Sequence, residues 1–129
     1  MGENLKNRPQ ELTKAELEIM QIIWRKEKVL VHDILADLPE PKPAYNTVSI
    51  IVRILESKGF VSHKAYGRTY EYFPVVAKEE YTNSYMKNVL NNFFDGSVSR
   101  MVNFFSAQKS ISLEETDEIL KILNGESGA

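Results

Sequence analysis

At Gly59 the spacing of apolar residues in this chain changes from the helical period of about 3.6 to the strand period of two. Before that point, Val48, Ile51, Val52 and Leu55 share one face of a segment that begins near Tyr45. It closes at Lys58-Gly59, where glycine suits the left-handed residue that ends a helix. Beyond it, Phe60–Ala65 and Thr69–Phe73 alternate as strands, joined through Tyr66-Gly67-Arg68 and ended by Pro74. Two more helices are predicted upstream. Thr13-Lys14-Ala15-Glu16 is a capping box, in which hydroxyl and carboxylate each satisfy the other residue's amide, and Leu17, Met20, Ile23 and Trp24 follow at helical spacing to about Lys26. After the polar connection Glu27-Lys28, residues Val31, Ile34, Leu35 and Leu38 form a second apolar face, and Pro39-Glu40-Pro41-Lys42-Pro43 cannot continue the helix. Three helices and then a hairpin is the order of a winged helix-turn-helix, with the third helix presented outward and the hairpin beside it.

From about Lys78 the helical period returns. Tyr81, Tyr85, Met86, Val89, Leu90, Phe93 and Phe94 mark a long helix closed near Asp95-Gly96, and Val98, Met101, Val102 and Phe105 mark the next. A second capping box, Ser112-Leu113-Glu114-Glu115, opens a last helix with Ile119, Leu120, Ile122 and Leu123, stopping at Asn124-Gly125 ahead of a tail expected to be disordered. The expected fold is therefore mainly α with a small β-hairpin: an N-terminal winged helix-turn-helix over residues 1–74 and a C-terminal three-helix region over 75–129. Three helices of this size have too few residues to enclose so many aromatic and aliphatic side chains. A second copy in a symmetric dimer would cover them, with Val89, Phe93, Val98, Met101, Val102, Phe105, Leu120 and Leu123 as the expected dimerisation residues. The alternative is that these helices fold back on the winged helix as one monomeric core.

Length and composition remove whole classes of function. A chain of 129 residues is one compact domain or two very small ones, which excludes a multidomain enzyme. The absence of cysteine removes disulfides, thiolate nucleophiles and Cys-based zinc or copper sites, and fits a reducing cytoplasm. The longest apolar runs, such as Val48–Val52 broken by Ser49, fall far short of the roughly 20 residues of a membrane span, so no membrane insertion is expected. Residues 1–11 lack the apolar core of a signal peptide, and Lys6 stands where a myristoylation site has Ser or Thr, so a cytoplasmic location is expected. His32 and His63 have no carboxylate or thiolate at ligand spacing and read as surface or capping residues, so no metal is expected. Neither a nucleophile constellation nor a glycine-rich phosphate loop is present, so no enzyme and no cofactor are expected.

The net charge of −2 hides an uneven distribution. Residues 1–40 hold 6 Lys/Arg and 8 Asp/Glu, residues 74–129 hold 5 and 8, and residues 41–73 hold 5 and 2. Only the middle third is basic, through Lys42, Arg53, Lys58, Lys64 and Arg68. By charge alone this is either an ordinary solvated surface or a phosphate-binding face. The third helix sharpens the choice. Opposite its apolar face it carries Asn46, Ser49, Ile50 and Arg53, with Tyr45 and Thr47 in the first turn. Arg can grip guanine or a phosphate, Asn can pair with adenine, and an exposed Ile or a Thr methyl can pack on the thymine methyl. Amides and hydroxyls at the helix start can hold a phosphate. The competing reading makes Asn46 and Ser49 neutral surface residues and pairs Arg53 with Glu56. Lys64 and Arg68 near the Gly67 turn weigh toward an anionic groove or flanking phosphate. Tyr66, Tyr70 and Tyr72 are expected mainly in core packing.

Taken together, Leu12-Thr13-Lys14-Ala15-Glu16-Leu17-Glu18-Ile19-Met20 through Trp24, Tyr45-Asn46-Thr47-Val48 running to Arg53-Ile54-Leu55-Glu56-Ser57-Lys58-Gly59, and Gly67-Arg68 with Tyr70-Glu71-Tyr72 resemble the penicillinase-repressor group of bacterial regulators (BlaI/MecI/CopY). The resemblance covers nearly the whole chain. It implies a homodimer that binds an inverted-repeat operator in double-stranded DNA through N-terminal winged helices and represses transcription, with the C-terminal helices making the dimer. It also implies DNA contacts at Asn46, Thr47, Ser49, Ile50 and Arg53, supported by Lys64 and Arg68 on the wing. The copper-responsive branch carries a C-terminal cysteine motif, which this chain lacks. The antibiotic-responsive branch is released by a membrane sensor and protease system, with cleavage of an Asn-Phe bond after a Met-Val-Leu run. Here Met101-Val102-Asn103-Phe104-Phe105 places the Asn103-Phe104 pair one residue early. Phe104 and Phe105 read equally well as dimer core. From another functional class, the rival is a winged helix used only for protein assembly, with no operator.

Overall fold

The computed structural model describes residues 11–108 and 112–123. The expected stop at Asn124-Gly125 and the tail lie outside the described residues, as does the side chain of Leu123. The elements are α1 (Lys14–Lys26), α2 (Val31–Asp37), α3 (Tyr45–Ser57), β1 (Val61–Tyr66), β2 (Thr69–Pro74), α4 (Lys78–Phe93), α5 (Val98–Ala107) and α6 (Leu113–Leu123). They fall into two compact units, one running to Thr82 and the other beginning at Asn83.

The first unit is built around one apolar cluster. Ile19, Met20, Ile22 and Ile23 of α1, Val31 and Ile34 of α2, Val48, Val52 and Leu55 of α3, and Phe60, Val61 and Tyr72 of the hairpin are all buried in it. Each large aliphatic side chain so buried contributes roughly 1.5–3 kcal/mol. The α1 face is wider than its spacing suggests: Ile19 and Ile22 are buried, while Leu17 and Trp24 are only partly so. The Thr13 capping box forms, its amide donating to Glu16 Oε1 at 3.0 Å and its hydroxyl accepting from the Glu16 amide at 3.2 Å. Gly59 takes φ +86 after α3. The hairpin pairs antiparallel from Val61 with Pro74 to Tyr66 with Thr69, leaving the two-residue turn Gly67-Arg68 with Gly67 at φ +65.

Three features were not anticipated. Val29, immediately after Glu27-Lys28, is a single-residue strand: it exchanges backbone hydrogen bonds of 2.9 and 2.7 Å with Tyr72, adding an edge to β2. Lys42 caps α2, its Nζ donating to the carbonyls of Leu35, Ala36 and Leu38 at 3.1, 3.0 and 2.7 Å. The first turn of α4 completes the core: Tyr81 lies edge-on to Phe60, and its hydroxyl accepts from the Leu12 amide at 2.9 Å.

Glu16 is itself buried, and Lys58 at the end of α3 pairs with it at 2.7 Å. Burial raises the Glu16 carboxyl's pKa, but the Lys58 ammonium and the Thr13 amide outweigh it, and the net displacement is downward. A carboxyl depressed in the folded state stabilises the fold above its unfolded pKa and loses that contribution as pH falls through the folded value. Glu16→Gln should therefore cost about 1–2 kcal/mol at pH 7, less than a fully buried pair because Lys58 is partly exposed. The cost should shrink as pH falls from the ordinary glutamate range through the lowered folded value, where the wild-type carboxyl becomes neutral as well. Denaturant midpoints of the two proteins at pH 7 and pH 3 test this, and an equal gap at both would contradict it.

The second unit is more sparsely packed. Asp95 and Gly96 take φ +51 and +77 and end α4, with the Gly96 amide donating to the Leu90 carbonyl at 2.8 Å. Ser97 caps α5 by accepting from the Arg100 amide at 3.2 Å, and the Ser112–Glu115 capping box opens α6. Among the described residues of this unit, Val102 alone is buried.

Candidate nucleic-acid interface

The five basic residues of the middle third do not play one role. Lys42 caps α2 and Lys58 pairs with Glu16. Arg53, Lys64 and Arg68 make no ion pair among the described residues, and all three are exposed. Lys64 Nζ lies 5.4 Å from the centre of the Tyr66 ring, a contact that leaves its charge unneutralised. Of the five cations of residues 41–73, the three without an ion pair among the described residues are the three that the sequence singled out for DNA.

On α3, Tyr45, Asn46, Thr47, Ile50 and Arg53 are exposed and Ser49 is half-buried. Ile50 is 56% exposed, an apolar side chain with no use in this unit's core. The alternative pairing of Arg53 with Glu56 does not occur. Glu56 is held by His63 instead, whose Nδ1 lies 2.8 and 3.1 Å from the two carboxylate oxygens and must carry the proton it donates. His63 thus has the carboxylate partner that sequence spacing did not reveal, and it takes up the acid nearest to Arg53 in the helix.

A groove of about 420 Å³ runs between α3 and the hairpin. Tyr45, Ser49 and Arg53 line it from α3, Arg68, Thr69 and Tyr70 line it from the hairpin, and His32 lines it from α2. No carboxylate lines it. Asn46, Thr47, Ile50 and Lys64 lie outside this groove. His32 is exposed, in keeping with a surface or capping residue, and its ring stands 4.7 Å from that of Tyr45. The tyrosines need correction. Tyr72 is buried in the core as expected, but Tyr70 is exposed, stacked on the His63 ring at 4.0 Å and 12°, and Tyr66 is exposed at the wing tip. A strand at the rim of a small sheet has one covered face only at its inner end, so alternation alone cannot tell where cover stops. Burial, aided by the charge of Glu56 and opposed by that of Arg53, raises the Tyr72 hydroxyl's pKa, so it stays a neutral phenol.

Among the described residues no group of three or more His, Asp or Glu is placed to hold a metal ion, and no helix is long and apolar enough to cross a membrane. The model of the penicillinase repressor family matches residues 12–125. The chain belongs to the penicillinase repressor family. Relatives include the methicillin resistance regulatory protein MecI of Staphylococcus aureus strain N315, 27% identical over 119 residues, covering 92% of this chain and 97% of that protein. The penicillinase repressor of Bacillus licheniformis is 28% identical over 120 residues, 92% of this chain and 93% of that one. Among solved structures, the solution structure of the DNA binding domain of the repressor BlaI superposes with a TM-score of 0.50 at 26% identity, over 58% of this chain and 92% of that one. The family fold is thus a mainly helical chain with a two-stranded antiparallel hairpin, and the first unit is its winged helix.

Proposed function

We propose that this chain is a sequence-specific DNA-binding transcriptional repressor that works as a homodimer on inverted-repeat operators of beta-lactam-resistance-type genes, in the cytoplasm and without catalysis. The observation that carries the reading is that Arg53, Lys64 and Arg68, exposed and without an ion pair among the described residues, stand on the third helix and hairpin together with an exposed Ile50. Membership of the family and the likeness to a repressor's DNA binding domain support it. Residues 1–74 would bind DNA and residues 75–129 would join the two copies. Exposure of Phe93 and Phe105 in the second unit, with Val89, Val98, Met101 and Leu120 half-exposed, supports the dimer. Val102 is buried within the protomer, so it supports the interface from behind.

Release by proteolysis fits the same arrangement. The Asn103–Phe104 bond lies inside α5, and the Phe104 ring packs 5.6 Å from Phe94 and 5.5 Å from Phe105. A cut there removes Phe104, Phe105 and all of α6 from the dimer. A protease set in action by a membrane sensor would have to open α5 locally, because a helical backbone cannot lie extended in a protease cleft.

The test is a gel shift of the purified chain on DNA from upstream of its own gene. A retarded complex is expected, losing affinity steeply between about 50 and 200 mM salt as bound counterions are released. Absence of any complex at the lowest salt would refute the reading.

A further inference from the structure

Arg53 and Arg68 line one groove from opposite walls, α3 on one side and the hairpin turn on the other. Two guanidiniums sharing a groove repel each other, and among the described residues no acid pairs with either: the groove lining has no carboxylate, and Glu56 is occupied by His63. Asp33, beside His32, is likewise engaged, accepting from the Leu30 amide at 2.8 Å. The hydroxyls of Ser49, Thr69 and Tyr45 belong to the same lining and can donate to an anion. Guanidinium forks match the oxygens of a phosphate bidentately, and two of them facing one space suit a tetrahedral anion better than a planar base edge. At about 100° per residue, Tyr45, Ser49 and Arg53 form the strip of α3 turned to the hairpin. Asn46, Ile50 and Thr47 follow round the helix, exposed and outside the groove.

We propose that this groove seats a single backbone phosphate of duplex DNA, gripped jointly by Arg53 and Arg68, so that Arg53 positions the duplex while Asn46, Thr47 and Ile50 read its sequence. The inference rests on the DNA-binding function proposed above. It assigns Arg53 to the part of the interface that carries no sequence information.

The test measures binding of the full chain to two duplexes across a salt series: DNA from upstream of its own gene, and a random duplex of equal length. Arg53→Ala and Arg68→Ala should each lower affinity about tenfold per half-site on both duplexes. The double variant should lose little more than either single one, because one phosphate is lost only once. The salt slope should fall by about 0.9 per half-site in each single variant and no further in the double. Ile50→Ala and Asn46→Ala should instead narrow the gap between the two duplexes. The proposal is overturned if Arg53→Ala spares the random duplex while relaxing preference at one base pair, or if the two losses multiply and the slopes add. A chain that binds neither duplex overturns the DNA-binding function itself. Titration of the wild-type chain with inorganic phosphate at constant ionic strength separates the two failures. The Nε–H resonances of Arg53 and Arg68 should move together. Movement without duplex binding assigns the groove to a free phosphate, and no movement rejects the phosphate seat even where DNA is bound.

Discussion

Replacing Arg53, Lys64 and Arg68 together with Ala should lower affinity for the operator duplex about a thousandfold or more near physiological salt, and should leave the fold as stable as before. The two halves of this expectation have one cause. These side chains make no ion pair among the described residues and stand exposed, so the folded chain loses almost nothing when they go, within the ~0.5 kcal/mol usual for surface positions. DNA loses its electrostatic anchors. If Arg53 and Arg68 share one phosphate and Lys64 takes another, each half-site gives up two neutralised phosphates, and the salt slope should fall by about 1.8 per half-site. The comparison variant is Lys42→Ala with Lys58→Ala. It removes the same kind of charge from the same third of the chain, but it breaks the α2 cap and the Glu16 pair, so it should lower stability first. Affinity measured on both variants, alongside denaturant unfolding, separates the roles. Operator affinity unchanged in the triple variant would remove the physical basis of the proposed interface.

That contrast also shows where sequence reading stops. Helices and hairpin were legible because each carries local punctuation: a capping box at Thr13 and another at Ser112, prolines after Leu38, and glycines at 59, 67 and 96 that adopt the positive φ they permit. The candidate residues on α3 were legible because a helix with Val48, Val52 and Leu55 turned inward must turn Asn46, Ile50 and Arg53 outward. What stayed hidden depends on partners distant in sequence. Glu16 looks like half of a capping box and nothing more until Lys58 arrives 42 residues later. Val29 has no period to announce it, since one residue pairing with Tyr72 makes a strand of length one. His63 and Glu56 lie on different elements, and their pairing decides whether Arg53 is available to DNA. A count of basic residues over 41–73 treats all five alike, whereas the fold neutralises two and leaves three.

A single carboxylate introduced at Phe93 should convert the proposed dimer into monomers and lower affinity for an inverted repeat by about 10²–10⁴, while leaving affinity for an isolated half-site as it was. Phe93 is the right position because it is 76% exposed within the protomer, so Phe93→Glu takes little from the folding of its own unit. Val102→Glu would be uninformative, since Val102 is buried in the protomer and a charge there would unfold the helices it holds. Across a two-fold axis the same substitution occurs twice and places two carboxylates in what should be an apolar contact, where each must be desolvated without a counter-charge. The loss on the inverted repeat follows from effective concentration alone. Once one winged helix is bound, a joined partner meets the second half-site intramolecularly, and a separate monomer does not. Sedimentation should report half the assembled mass for the variant, with unchanged helix content. Should Phe93→Glu remain dimeric, or should half-site affinity fall together with that for the full repeat, the second unit would not be what joins the two copies, and the exposed Phe93 and Phe105 would need a different occupant.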